Sequence, residues 1–419
     1  VAETLAKLVA RRYAGRNVPV ALRLPDGSRI PLSDAPEVEI VARTWAGAKA
    51  LAVPAMGALA RAYVRNDLDF SGSARRILAL AESLVGDIAH GRDTLVARAR
   101  LWRHQHRPNR ANIAHHYDVS NDFYRLWLDR RMVYSCAYFE RDDATLDEAQ
   151  LAKLDHICRK LRLEPGQRFL DIGCGWGALV LHAAQAYGVR ATGITLSARQ
   201  HAYVTERIEA LGLGDRVEVR LQDYLDLPEH ETFDRIASVG MFEHVGLKRF
   251  PAYFGKIARV LAPGGLVLNH GITHNALGAQ SLGSGIGDFV ERYVFPGGEL
   301  THVARVMEAI AAAGMEAVDA EALREHYART LWRWTERLEA NEGAARGEIG
   351  EERYRIWRIY LAGSAHAFDR GWLSLWQVLA GKPHADGRLP VPLTRSYMYP
   401  RSRDGAPCAA TGKPPHGGA

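Results

Sequence analysis

The apolar positions change period along the chain. Near the start, residues 20–24 and 29–32 are short strand candidates on either side of a Pro25-Asp26-Gly27 turn. The spacing then becomes helical, with Ile77, Leu78, Leu80, Ala81, Leu84 and Val85 on one stripe. From residue 165 the two periods alternate. Arg168–Ile172 reads as a strand, Ala178–Tyr187 as a helix, 189–194 as a strand and 200–211 as a helix. Val217–Leu221, Phe233–Val239 and 265–269 supply further strands. This alternation predicts an α/β fold, a Rossmann-like parallel sheet wrapped by helices, behind a small N-terminal α+β domain. The expected division is 1–104 for a lipid-docking or accessory domain with no catalytic spacing and 105–400 for the catalytic domain. A disordered tail is expected over 401–419, where Gly, Pro and Ala dominate.

Composition narrows the picture. At 419 residues two domains are the default, and 47% hydrophobic with 24% charged residues is the profile of an ordinary globular protein. Cys136, Cys158, Cys174 and Cys408 show no CxxC or Cys/His ligand spacing, so neither a disulfide scaffold nor a metal site is expected and a reducing cytoplasm fits. No run reaches the ~18 apolar residues of a spanning helix. The best, 51–60, is broken by Pro54 and Gly57 and flanked by Lys49 and Arg61. No signal-peptide pattern is visible, and a soluble or at most peripheral protein is expected.

The formal net charge is +6, and only eight of the 54 cationic residues are lysine. Arginine suits phosphate recognition, although a genome rich in G and C gives the same bias. Between Asp93 and Asp118 there is no acidic residue, while Arg98, Arg100, Arg103, Arg107 and Arg110 occur with His104, His106, Leu101 and Trp102. Such a run suits an anionic membrane surface, each basic residue adding about 1 kcal/mol, and it also reads as a solvated linker. No nucleic-acid motif accompanies it, so no nucleic-acid partner is expected.

The sharpest motif is Asp171-Ile-Gly173-Cys174-Gly175-Trp-Gly177 at a strand end. Glycines let the chain turn tightly against a ligand. The spacing is GxGxG rather than the GxGxxG of a dinucleotide loop, and an acid stands two residues before the first glycine. That acid suits the ammonium of a methionine moiety better than a pyrophosphate, so the loop points to S-adenosylmethionine. Thr195 and Gln200, after the next strand, offer uncharged partners for ribose hydroxyls. Asp223 and Tyr224, one strand further on, offer an acceptor and a ring for adenine. Each of these also reads as a helix cap or turn former.

Beyond this loop the chain resembles the cyclopropane-fatty-acyl-phospholipid synthases and the mycolic acid cyclopropane synthases, over about residues 105–395. The matching stretches are His115-His-Tyr-Asp-Val-Ser-Asn-Asp-Phe-Tyr124, Tyr134-Ser-Cys-Ala-Tyr-Phe139, the Asp171 loop and Thr195-Leu-Ser197. Ser238-Val-Gly-Met-Phe-Glu-His-Val-Gly246 and Tyr293-Val-Phe-Pro-Gly297 match as well. The resemblance implies a class I methyltransferase sheet and methylene transfer to a cis double bond in a phospholipid acyl chain. It implies that the resulting carbocation is deprotonated by bound bicarbonate, held by Cys136, Glu243, His270 and Tyr327. It adds Tyr134 and Ser135 to the cofactor contacts Asp171, Gly173, Cys174, Gly175, Gly177, Thr195, Gln200, Asp223 and Tyr224. It also implies a homodimer and a protein peripheral to the inner membrane surface. Some relatives carry a late-helix cysteine where this chain has Gly363-Ser364-Ala365, so no thiol acts there. Aromatic residues cluster over 117–139 and 332–376, as core or as the walls of an acyl tunnel, and the glycine-rich 278–287 reads as a lid or a plain loop. The rival expectations are a C- or N-methyltransferase without ring closure and a non-catalytic lipid-binding protein.

Overall fold

The computed structural model describes residues 2–13, 18–52, 56–85, 119–275 and 300–399. The basic run, the first part of the His115 motif, the 278–287 and 293–297 segments, the expected boundary near 104 and the tail fall outside the described residues.

The described residues form two sheets, each with its own core. In the N-terminal unit β1 (Val20–Arg23) pairs antiparallel with β2 (Arg29–Pro31) across the expected turn. Asp26 caps that turn by accepting from the Ser28 N–H at 2.9 Å. Two strands not expected from the sequence complete the sheet, β3 (Val38–Ala42), parallel to β1, and β4 (Leu68–Phe70), antiparallel to β3. Helices α1 (Ala2–Tyr13), α2 (Trp45–Ala52), α3 (Met56–Val64) and α4 (Ala74–Val85) accompany it. Val9, Tyr13, Leu22, Leu51 and Leu68 are buried between them.

The second sheet runs β10-β11-β9-β8-β5-β6-β7. Its parallel part is β5 (Arg168–Ile172), β6 (Arg190–Thr195), β7 (Val217–Leu221), β8 (Phe233–Val239) and β9 (Leu261–His274). β10 (Glu316–Ala322) and β11 (Leu373–Gly381) add antiparallel pairs at one side. After α5 (Asn121–Arg125), the sheet is packed by α6 (Leu146–Lys160), α7 (Ala178–Tyr187), α8 (Ala198–Ala210) and α9 (Phe250–Val260). The remaining helices are α10 (Val303–Ala312), α11 (Arg324–Ala340), α12 (Glu342–Ile349) and α13 (Glu351–Asp369). β6 and β7 lie on one side of β5 and β8 and β9 on the other, so the strand order reverses between β5 and β8. A doubly wound sheet binds its ligand beyond the carboxyl ends at that point.

Two arginines of α13 fasten the N-terminal unit to this sheet domain. Arg355, buried, donates to the carbonyls of Tyr63 (3.0 Å) and Leu68 (3.3 Å) and to the Asp69 carboxylate (3.1 Å). Arg358 donates to the Tyr63 hydroxyl, the Gly72 carbonyl and Glu339. Their guanidinium carbons lie 4.6 Å from the Tyr63 and Phe70 ring centres.

Candidate active site

The glycines of the Asp171 loop have different tasks. All three have φ near or above +55°, a region that disfavours any side chain. A Cβ on Gly173 would meet Met241, and one on Gly177 would meet Val204 at 2.8 Å, so these two serve close packing. A Cβ on Gly175 would meet nothing within 4 Å; its open side is where a ligand can approach the backbone. Cys174 turns its thiol into the core against Gly193, and its N–H is spent on the Ile194 carbonyl. Asp171 is buried with its Oδ1 unpartnered, and burial, only partly offset by Lys153, lifts its carboxyl to about 7. An unpartnered buried acceptor beside an open glycine fits a ligand that brings its own donor or positive charge.

Residues 129–139 carry Tyr134, Ser135 and Cys136 without regular structure, so neighbouring side chains fix their path. Asp129 accepts from the N–H groups of Arg131 and Val133. Gln150 on α6 donates to the Ser135 carbonyl at 2.9 Å, and Lys153, one turn further, donates to the Ser135 hydroxyl at 3.0 Å. On the other side Ala137 N–H donates to Thr330 Oγ1 and Phe139 N–H to His326 Nδ1, both on α11. Cys136 is fully buried, which pushes its thiol up so that it stays protonated. Its sulfur lies 3.9 Å from the Leu323 carbonyl, which also accepts from Tyr327 N–H.

The end of β8 organises the acid–base groups. β8 stops at Val239, opposite His270 of β9, and Gly240 N–H donates the last rung to the His270 carbonyl at 2.8 Å. β9 continues without that neighbour. The Ile272 N–H, which would make the next rung, is taken instead by Glu243 Oε1 at 2.6 Å. Gly271 makes this approach possible, since its Cβ would collide with the Phe242 ring and lie 2.9 Å from Glu243 Oε1. The other oxygen, Oε2, is buried without a partner among the described residues, and burial lifts the carboxyl to about 7. His270 is buried, Nδ1 lies 3.1 Å from Gln377 Nε2, and Nε2 has no partner among the described residues. Burial, reinforced by Lys153 and Lys160, lowers its pKa and keeps the ring neutral.

The four residues expected around the anion thus hang on one connected frame. Glu243 holds Ile272, which is paired with Leu375 of β11. Leu375 O accepts from Leu323 N–H, and Leu323 O faces both Cys136 and Tyr327. Tyr327 is buried against Phe368 and Trp334. The loop after β5 meets the one after β8 where Gly173 packs on Met241. Among the cofactor residues, Thr195 donates its hydroxyl to Gln200 Oε1 at 2.8 Å. Asp223 caps the turn at Leu225. Tyr224 is buried edge-on against Tyr253, so its ring is part of the core.

Beneath this site lies a polar layer that sequence reasoning missed. Gln150, Lys153, His156 and Lys160 recur at helical spacing along the buried stripe of α6. His156 Nε2 is 2.7 Å from Glu321, which Lys160 also pairs. Burial pushes Glu321 up, but these partners more than offset it and hold it at about 2. Burial lowers Lys153 to about 8 against the pull of Asp129, Cys136 and Asp171. The signal was present in the sequence: four polar residues where an amphipathic helix should be apolar.

The two aromatic sets of the sequence meet in one core. Phe123, Tyr124, Trp127, Tyr134, Trp334 and Trp357 pack with ring centres 5.3–6.3 Å apart, and Tyr124 lies 4.8 Å from Trp176 in the cofactor loop. Comparison with known proteins decides the family. Residues 104–378 match the model of mycolic acid cyclopropane synthetases. The chain belongs to that family. It is 44% identical over 383 residues to a probable fatty acid methyltransferase of Pseudomonas putida, covering 91% of this chain and 97% of that one. It is 39% identical to cyclopropane mycolic acid synthase 1 of Mycobacterium tuberculosis, covering 66% of this chain and 98% of that one. Among solved structures, the cyclopropane synthase MmaA2 of that organism superposes with a TM-score of 0.63 at 37% identity, covering 66% of this chain and 99% of the other. The synthase CmaA1, solved with S-adenosylhomocysteine (SAH), gives 0.62 at 38% identity, covering 65% of this chain and 98% of that one. This family member is therefore an S-adenosylmethionine-dependent methyltransferase acting on lipids, with the class I α/β fold. Among the described residues no helix is long and apolar enough to cross a membrane.

Proposed function

We propose that this family member closes the cis double bond of a phospholipid acyl chain to a cyclopropane, working at the inner face of a membrane. The observation that carries the reading is the pair of unpartnered buried atoms, Glu243 Oε2 and His270 Nε2, at the end of β8 beside the cofactor loop. When bound, S-adenosylmethionine supplies an electrophilic methyl to the alkene, and bicarbonate takes up the proton lost as the added carbon closes the ring. Asp171, Gly175 and the Tyr134-Ser135 segment would hold the cofactor, with Thr195, Gln200 and Asp223 toward its nucleoside. His270, neutral, donates from Nε2 to the anion. Glu243, held near neutrality, shares a proton with it rather than repelling it. Tyr327 and Cys136 complete the donor set, and the aromatic core beside Tyr134 shields positive charge from water. The relatives' names, a fatty acid methyltransferase and a mycolic acid synthase, support an acyl chain as acceptor.

The test is mass spectrometry of lipids from cells expressing the protein and its Glu243→Gln and His270→Ala variants. Wild type should add one CH2 to unsaturated phospholipids and remove the olefin. Both variants should lose this product while still binding S-adenosylmethionine by titration calorimetry. A methyl or methylene branch in place of a ring, or loss of cofactor binding in both variants, would overturn the assignment.

A further inference from the structure

Gln377 stands directly beside His270. The two occupy one rung of the sheet, Glu321 of β10 opposite Gln377 of β11 and Gln377 opposite His270 of β9, so all three side chains leave the sheet on the same face. Both Gln377 and His270 are buried. The Gln377 amide turns Nε2 to His270 Nδ1 at 3.1 Å, and in that orientation it donates, leaving its Oε1 without a partner among the described residues. Glu321, the acid of this rung, is engaged by His156 and Lys160 and does not serve His270. The other charged groups facing the imidazole are Lys153 and Lys160 from α6, with His156 beside them, and they oppose its protonation. A neutral imidazole carries one proton. With its Nδ1 lone pair occupied by an amide N–H, that proton sits on Nε2, the atom left without a partner in the site.

We propose that Gln377 is a positioning residue that fixes His270 as the Nε2–H tautomer, so that a single N–H is aimed at the anion throughout turnover. This inference rests on the reading of His270 as an anion donor. It explains why a fully buried glutamine sits among apolar neighbours of β11, and why the site uses an amide there rather than the carboxylate that commonly supports a histidine. A carboxylate would accept from Nδ1–H and favour the charged ring; the amide keeps a donor at Nε2 without adding charge to the layer.

Histidine-labelled protein without ligand gives a direct readout, because nitrogen NMR distinguishes a protonated from an unprotonated ring nitrogen, and His270→Ala assigns the signals. Wild type should show Nε2 protonated and Nδ1 bare. Gln377→Glu, of the same shape, should move a proton to Nδ1. Gln377→Met should raise the bicarbonate concentration for half-maximal turnover about tenfold, the scale of a hydrogen bond to a charged group. Its affinity for S-adenosylmethionine should stay unchanged. A wild-type proton on Nδ1, or an unaltered bicarbonate response in Gln377→Met, overturns the proposal. Wild-type turnover that ignores bicarbonate overturns the anion reading itself, while the NMR measurement still decides the tautomer.

Discussion

Replacing Glu243 with glutamine is expected to stabilise the ligand-free protein above neutral pH while abolishing ring formation. The carboxyl is buried, bonded through one oxygen to Ile272 N–H and through the other to nothing. Burial lifts it from its ordinary 4.5 to about 7. In the unfolded chain it ionises at the ordinary value. As pH rises from about 4.5 to about 7, the unfolded chain releases a proton that the folded protein keeps, so stability falls across that window and the loss is complete above it. At about 1.4 kcal/mol for each tenfold change in the ionisation constant, the penalty is roughly 3 kcal/mol. Glutamine keeps the shape and the Ile272 bond but carries no charge. The variant should match wild type near the lower end of the window and exceed it by roughly 2–3 kcal/mol above the upper end, a melting shift of about 2–4 °C for a chain of this length. Urea or thermal unfolding of the ligand-free protein across this window, read as variant minus wild type, measures it. A difference that does not change with pH would refute the reasoning, as would a variant less stable than wild type above pH 7.

Two further changes probe the frame. Gly271→Ala drives a Cβ into the Phe242 ring and against Glu243, so urea unfolding should show a loss of about 1–3 kcal/mol. Ring product should fall further than that loss explains, because Glu243 is displaced. Arg355→Met leaves the Tyr63 and Leu68 carbonyls and the Asp69 carboxylate without their buried donor. It should cost about 3 kcal/mol and expose the N-terminal unit to limited proteolysis before the sheet domain.

The parallel strands were legible because they are short, largely apolar runs flanked by turn residues. Arg168–Ile172, Val217–Leu221, Phe233–Val239 and helix Ala178–Tyr187 coincide with the sequence pattern to the residue. β9 was read as 265–269 because Pro263 and Gly264 look like a stop at its start and the polar Asn269-His270 like one at its end. It spans Leu261–His274 because β11 pairs with it well past the end of β8. β10 escaped notice since its acids, Glu316, Asp319 and Glu321, read as solvated loop, whereas Glu321 faces the buried layer. The candidate site was legible only through motifs. Lys153 is marked only by its place on the buried stripe of α6, and nothing local to Gln377 separates it from a surface residue. Their roles arise from partners 18 and 107 residues away.

The groups assigned to the proposed site share a property that its chemistry requires. A carbocation on an acyl chain would alkylate any accessible protein lone pair, so residues near it must donate hydrogen bonds without being free nucleophiles. Cys136 meets this by burial, which keeps the thiol protonated. His270 meets it at Nδ1, where the lone pair is covered by Gln377. Glu243 meets it by a carboxyl held near neutrality, with one oxygen tied to the backbone. Lys153 is turned to the Ser135 hydroxyl. Burying unpartnered polar atoms costs stability, and in the proposed chemistry Glu243 Oε2 and His270 Nε2 would recover part of that cost on meeting the anion. In the proposed chemistry a small exchangeable anion would carry the proton away as it leaves, so that no buried side chain has to pass it to solvent.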